Sequence, residues 1–553
     1  MKCFFYFYTK PIEMKKLAVL LCAVLITSCS SEKKPADLLV FNANVYTVND
    51  AFDTAEAFVV TDGKIIEVGT SREIQKKYTA AEIFDAEGKT ILPGLIDGHA
   101  HLYNLGISMQ RVELSGTTSA AKALDRLVAF QQEKQAPFIL GRGWDQNDWA
   151  VKQYPSKASL DSLFPNTPVA LTRIDGHALW VNSKALEMAG ITSATKMSGG
   201  EVVLENGEPS GILIDEPMGL VWAIMPKDSE ALQTRALLDA QEVCFSLGLT
   251  TINEAGLPLQ IIELIDGQQQ IGTLKMRIYA MVQNEPRDRD YFLSNGIVKT
   301  DRLHVRSVKV YADGALGSRG AALRAPYSDR ENHFGAMITP LEELNAVAEK
   351  IAAAGFQMNT HAIGDSANAS VIRAYEAALR GKKDARWKIE HAQVLAAESF
   401  SSFSNNIIPS VQPTHATSDM YWAEDRVGPG RIKGAYAYKK LLDQAGIIVL
   451  GTDFPVEKVN PMHTFYAAVA RKDLKNYPAN GFRKEDALTR KETLKGMTIW
   501  AAYSNFEENE KGSLEPGKFA DFIVIDQDIM RCEEDEIPGI KVLGTYVDGE
   551  KVF

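Results

Sequence analysis

The sequence predicts an α/β fold: a parallel (β/α)8 barrel of the TIM type, with a small β-sandwich built from both termini and a subdomain inserted between the first and second barrel strands. Three observations predict it. The middle of the chain alternates apolar strand-like runs with helix-like stretches, the mark of a parallel arrangement. Both ends are strings of short β-segments and turns. One gap in the middle, between the first two candidate strands, runs to about 150 residues, far more than a single crossover needs.

The chain of 553 residues is long enough for a large core with attachments, and its 45% hydrophobic and 24% charged residues are those of an ordinary globular protein. A net charge of -11 argues against a nucleic-acid partner, which favours a basic face.

At the N-terminus, Met14-Lys-Lys16 is a basic region, Leu17 to Ile26 an apolar core of ten residues, and Thr27-Ser-Cys29 a run of small residues ending in cysteine. This is the layout of a secretory signal peptide, and its core is too short to span a bilayer. Ile26-Thr-Ser-Cys29 resembles a bacterial lipobox, which implies cleavage before Cys29, lipidation of its thiol and export as a membrane-anchored lipoprotein on the periplasmic side or cell surface. Residues 1–13 sit ahead of that signal, so translation is expected to begin at Met14. Only Cys244 and Cys532 remain beyond the cut, too few for a disulfide framework, though one bridge between them stays open.

The expected organisation is a signal peptide over 1–28, a tether over 29–37, a β-sandwich from 38–89 and 507–553, and a barrel over 90–506 with an insert at about 104–245. In the sandwich, Asp62-Gly63 and Asp548-Gly549 stand between apolar runs as hairpin signals. The barrel strands are expected at 90–97, 249–254, 276–282, 307–312, 357–360, 388–390, 408–411 and 447–451. The insert carries strand-like runs at 138–141 and 168–172 and a hairpin around 199–207.

The first barrel strand ends in Leu92-Pro-Gly-Leu-Ile-Asp-Gly-His-Ala-His101. Residues two apart on a strand share a face, so His99 and His101 project together. An isolated HxH is as readily a pair of loop residues; its meaning depends on the other strand ends, where barrel enzymes place their chemistry. The fourth strand carries Lys309, the fifth ends in His361, the sixth in His391 and the eighth in Asp453. Each alone is weak, but a lysine inside an apolar strand must be paired, neutralised or chemically changed.

The order HxH, Lys, His, His, Asp, framed by that first run and by Gly512-Ser-Leu-Glu-Pro-Gly-Lys-Phe-Ala-Asp521, resembles the amidohydrolase superfamily. Gly141-Arg-Gly-Trp144, Asp175-Gly-His-Ala-Leu-Trp-Val-Asn182 and Asp313-Gly-Ala-Leu-Gly-Ser318 resemble its YtcJ-like branch, which includes N-substituted formamide deformylases. The resemblance implies a binuclear metal site: His99, His101 and Asp453 on one ion, His361 and His391 on a second, and a carboxylated Lys309 bridging them. The metal would be Zn²⁺, with Mn²⁺, Fe²⁺ or Co²⁺ as alternatives. It implies hydrolysis of an amide-like, non-peptide C–N bond in a small-molecule substrate by metal-activated hydroxide, with Asp453 as general base, and pairing as a homodimer. For Lys309, a salt bridge to Asp313 or a role as an unmodified substrate-binding lysine remain open beside the carbamate.

His177, Trp144 and Trp180 of the insert, Asp313 and Arg319 after the fourth strand, and His415 after the seventh are expected at the mouth as substrate contacts. Packing of the insert is an equal alternative for the two tryptophans. Two other functions compete. Deamination of a heterocycle is often supported in the superfamily by a His-x-x-Glu after the fifth strand, where this chain has His361-Ala-Ile-Gly364. A non-catalytic, small-molecule-binding lipoprotein would show lost ligands, and none of the six is missing.

Overall fold

The structure, a computed structural model, describes residues 1, 2, 4, 5, 33–197 and 199–553. The expected signal segment and Cys29 lie outside the described residues. Among the described residues, no helix is long and apolar enough to cross a membrane.

Eight parallel strands form the middle of the molecule: β1 (Leu95–Ala100), β2 (Leu249–Leu257), β3 (Arg277–Gln283), β4 (Leu303–Tyr311), β5 (Gln357–Ala362), β6 (Trp387–His391), β7 (Ile407–Val411) and β8 (Val449–Leu450). They pair in chain order around the ring. Backbone bonds just past β8 close it against β1: Asp453 N donates to His99 O at 2.8 Å and His101 N to Phe454 O at 2.9 Å. This seam is tight. A Cβ on Gly98 would strike Val449 and the Leu450 carbonyl, and one on Gly451 the His99 amide, so both positions need glycine.

The expected first strand divides in two. Thr90–Pro93 pairs with Asn44–Tyr46 and Phe522–Ile525 in the sandwich, and β1 begins only at Leu95. Pro93 has no N–H with which to carry the ladder further, so the chain changes sheets there. The sandwich packs a four-stranded sheet (Lys34–Phe41, Ala57–Thr61, Lys64–Gly69, Tyr78–Asp85) on a six-stranded one that takes strands from both termini. Leu38, Val40, Phe58, Phe522, Val524 and Tyr546 fill the space between them. Lys34 to Ala36, expected within the tether, instead belong to the sandwich, paired in register with Tyr78 to Ala80. Both Asp-Gly signals form hairpin turns between antiparallel strands.

The insert is built on a mixed six-stranded sheet running from Val112–Glu113 to Glu208–Asp215. It leaves the barrel after the helix Leu102–Met109 and returns through Glu230–Ser246; these two helices pack so closely that a Cβ on Gly106 would enter the Ala236 carbonyl. The sandwich docks at the opposite end of the barrel from the strand C-termini. There the buried Arg277, first residue of β3, donates from Nε to Asp521 Oδ2 at 2.6 Å and from Nη2 to Asp521 Oδ1 at 2.9 Å, and also pairs with Asp548. Cys244 and Cys532 are free thiols, so no bridge forms between them.

Candidate metal centre

At the C-terminal ends of the barrel strands, six groups converge. His99 leaves β1 fully buried, with Nδ1 2.6 Å from Glu390 Oε2 and Nε2 3.1 Å from Lys309 Nζ and 3.6 Å from Asp453 Oδ1. Because the carboxylate only accepts, Nδ1 carries the proton and the Nε2 lone pair faces the centre. His101 Nε2 lies 3.2 Å from Asp453 Oδ1, and His361 and His391 have ring centroids 4.5 Å apart. His391 Nδ1 donates to Gln412 Oε1 at 2.6 Å, again leaving Nε2 for the centre.

Two of these residues need unusual backbone. His391 has φ +73° and Asp453 φ +63°, a region that costs a non-glycine residue about 1–3 kcal/mol. In His391 this turn lets Glu390 and His391, neighbours in sequence, both serve the interior, which a regular strand forbids.

The electrostatics suit ligands. Burial pushes the Lys309 ammonium below its ordinary value. Burial, with Lys309 and His99 close by, pushes His361 down to about 3, and burial with His361 pushes His391 well down, so both imidazoles are neutral. Burial alone would raise Asp453; the hydrogen bond from His101 and the histidines gathered around it hold it well below the usual carboxylate range. Glu390, also raised by burial, is pulled to about 2 by His99 and Lys388.

The donors present fit a divalent cation. His99, His391 and Asp453 each offer a ligand atom within 4.8 Å of the others. The buried Nε2 atoms of His361 and His415 have no hydrogen-bond partner among the described residues. Neutral imidazoles with one carboxylate are the set that binds Zn²⁺ or a neighbouring first-row ion. The trio draws on ligands expected at two different ions, so the two groups face one another across a single cage.

The expected mouth residues divide. His415 belongs to the cage wall: its ring stacks 6.0 Å from His391 at 12°, and Nε2 is 3.7 Å from Asp453 Oδ2. Trp144 and Trp180 do not reach the mouth. Both are fully buried, 6.2 Å apart edge to face, with Nε1 donating to Leu171 O and Ser156 O, so they pack the insert's own core. Asp313 is fully buried and accepts the N–H groups of Ala322, Ile363 and Gly364, which makes it an organiser of two loops rather than a surface for substrate. Its carboxylate is therefore engaged away from Lys309, whose nearest polar partner is His99. Arg319 is bound to Asp329, which Arg426 also holds. His177 is exposed at a hairpin tip, hydrogen-bonded to Asp215 at 2.8 Å.

Several residues outside the expected set shape the cage. Glu390 and Gln412 orient two histidines. Asp97 accepts from His99 N at 3.1 Å, Thr452 N at 3.0 Å and Thr452 Oγ1 at 2.7 Å, tying β1 to the turn that presents Asp453. Glu254, at the end of β2, accepts from Leu102 N and Tyr103 N directly after His101, and burial raises it to about 7. Tyr311, two residues beyond Lys309, stands 43% exposed with its ring centroid 5.0 Å from Lys309 Nζ and 5.6 Å from the His361 ring. The sequence does carry a signal for three of them: Glu390 immediately precedes a strand-end histidine, and Asp97 and Tyr311 stand two residues from His99 and Lys309, hence on the same faces.

A parallel barrel with histidines, a lysine and an aspartate gathered at its strand C-termini is the architecture of metal-dependent hydrolases. The sequence profile of the amidohydrolase family matches residues 82–553, and the chain belongs to that family. It is a hydrolase acting on carbon–nitrogen bonds. It is 31% identical over 527 residues to the putative amidohydrolase YtcJ of Bacillus subtilis, covering 92% of this chain and 98% of the relative. It is 26% identical over 543 residues to the N-substituted formamide deformylase of Arthrobacter pascens, covering 93% and 97%. Among solved structures, an uncharacterized metal-dependent hydrolase from Pyrococcus horikoshii superposes with a TM-score of 0.74 at 27% identity, over 90% of this chain and 99% of that one.

Proposed function

We propose that the protein hydrolyses the C–N bond of a small N-acyl or N-substituted formamide compound at a divalent metal centre held by His99, His101, Lys309, His361, His391 and Asp453. The observation that carries this is the cage itself: neutral imidazole nitrogens and one ionised carboxylate converge, with two buried Nε2 atoms lacking any partner among the described residues. When bound, a divalent ion supplies Lewis acidity toward a carbonyl and lowers the pKa of water. Asp453, kept ionised by its histidine neighbours, accepts the proton of the attacking water and returns it to the leaving nitrogen. Glu390 and Gln412 keep His99 and His391 in the tautomer with Nε2 free. Tyr311, exposed beside Lys309 and His361, is placed to donate from its hydroxyl to the substrate.

A carboxylated Lys309 fits this reading, since a carbamate converts an unpaired buried ammonium into an anionic ligand. Deamination is disfavoured by Gly364: any side chain there would run into the Ala322 carbonyl, so the position has no room for an acid. Export through the signal segment and lipidation at Cys29 are part of the same proposal, and mass determination of the mature N-terminus checks them. The activity is tested by screening the metal-reconstituted protein against N-substituted formamides, N-acyl amino acids and cyclic amides. Turnover of one class that disappears on chelation and returns with metal is expected; chelator-resistant turnover or none overturns the proposal.

A further inference from the structure

Beneath the cage the barrel interior holds a second lysine. In the registers of β4, β5 and β6, Lys309 lies beside Asn359 and Asn359 beside Lys388, so the three side chains share one layer and one face. In the next layer towards the mouth, His361 lies beside Glu390 and Glu390 beside Ser410. Lys388, Asn359, Glu390 and Ser410 are all fully buried.

Lys309 has His99 for company, whereas Lys388 Nζ makes no hydrogen bond among the described residues. Its nearest carboxylate oxygen is Glu390 Oε1 at 4.0 Å, beyond direct bonding, and the Tyr279 ring centroid is 5.2 Å away. Among the described residues Glu390 Oε1 is itself without a partner, as are both amide atoms of Asn359 and the hydroxyls of Ser307 and Ser410. Orphaned polar atoms are costly, and so many in one part of a closed barrel call for bound water between them. A buried ammonium without a direct partner is also a poor way to stabilise a fold, since a well-packed apolar residue does as well or better. Its use lies in its charge. Glu390 is a carboxylate in the same buried interior, and its other oxygen fixes His99.

We propose that Lys388 is a positioning residue for the metal centre: through a bridging water its ammonium holds Glu390, and Glu390 holds His99 with Nε2 presented to the ion. If Lys309 is carboxylated it no longer supplies a cation, and Lys388 becomes the lysine that balances Glu390. The inference rests on the metal-dependent reading above and extends it to a residue below the cage.

The test measures Zn²⁺ affinity by chelator competition, together with the melting temperature of the metal-free protein, for wild type, Lys388→Met, Lys388→Arg, Glu390→Gln and the double variant Lys388→Met/Glu390→Gln. Lys388→Met is expected to weaken zinc binding by about 10–100-fold, the usual effect of losing an outer-shell partner, while the metal-free protein melts no lower than wild type. Lys388→Arg recovers most of the affinity. The double variant binds no more weakly than Glu390→Gln, because the two residues act in series. Affinity of Lys388→Met within twofold of wild type, a fall in melting temperature alone, or additive losses in the double variant overturn the inference. Should the lysine variants not fold, a crystal structure of zinc-loaded wild type decides: a water linking Lys388 Nζ to Glu390 Oε1 is expected, and a dry gap overturns it. Wild type that takes up no zinc at all would instead remove the metal reading itself, so the two failures are distinguishable.

Discussion

Two ends of the same barrel bury charge in opposite ways. At the joint with the sandwich, Arg277 spends its guanidinium on Asp521, Asp548 and the Asp301 carbonyl, and Arg302 adds a bond to Asp548. The Phe519 ring covers the guanidinium at 3.9 Å. In the cage at the strand C-termini and just beneath it, by contrast, His361, His415, Lys388 and Glu390 each keep a buried polar atom without a partner among the described residues. A satisfied cluster holds two units together; an unsatisfied one is held ready for something else. The difference separates structural from functional charge better than burial does, because Arg277 in one cluster and Lys388 and Glu390 in the other are alike fully buried.

The largest effect is expected where the unsatisfied cluster does its chemistry. Asp453→Asn should lower kcat by roughly 10²–10⁴-fold while bound metal largely remains, as steady-state kinetics with metal analysis will show. Turnover like wild type would take Asp453 out of the proton-transfer role. At the satisfied end, Arg277→Met strands the buried Asp521 carboxylate and leaves Asp548 to Arg302 alone, and denaturant unfolding should record a loss of about 3–5 kcal/mol with turnover per folded molecule unchanged. A loss of activity without loss of stability there would erase the contrast.

The insert sharpens the comparison from a third side. Trp144→Phe leaves a small void and removes the Nε1 bond to the Leu171 carbonyl, so a stability cost of about 1–2 kcal/mol with KM unchanged is expected. A raised KM at full stability would return Trp144 to the substrate pocket. The smallest effect concerns pH. Burial would raise Asp521, but Arg277 holds it below its ordinary value, so its contribution to stability is full above the unfolded pKa of about 3.9 and lost as pH falls through the folded one. The stability advantage of wild type over Asp521→Asn should therefore be constant near neutrality and shrink below about pH 4; an advantage that grows on acidification would contradict the sign.

Much of the cage was legible because it follows a rule of period two. His99 and His101, Lys309 and Tyr311, and Asp97 and His99 share strand faces whatever surrounds them. The mouth was less legible. Trp144 and Trp180 are aromatic and lie in conspicuous motifs, yet whether such residues line a pocket or a core depends on which sheet covers them, and here the insert covers its own. Asp313 misleads for a related reason: a carboxylate after a lysine-bearing strand suggests a partner for that lysine, but three backbone N–H groups reach it first. The division of Thr90–Asp97 between two sheets was likewise hidden, because a single apolar run reads as one strand until its neighbours are known.

The sequence by itself determined the alternation of strand and helix, the hairpins at both ends, and the set of histidines, lysine and aspartate, since each follows from local chemistry and short periodicity. Only the tertiary structure decided that Glu390 and His391 both serve the interior, that His415 joins the cage, and that Lys388 sits alone beneath it. Those relations depend on register between strands and on a left-handed turn at a strand end. Neither is encoded in spacing along the chain; both arise when the barrel closes and long-range neighbours compete for the same buried polar atoms.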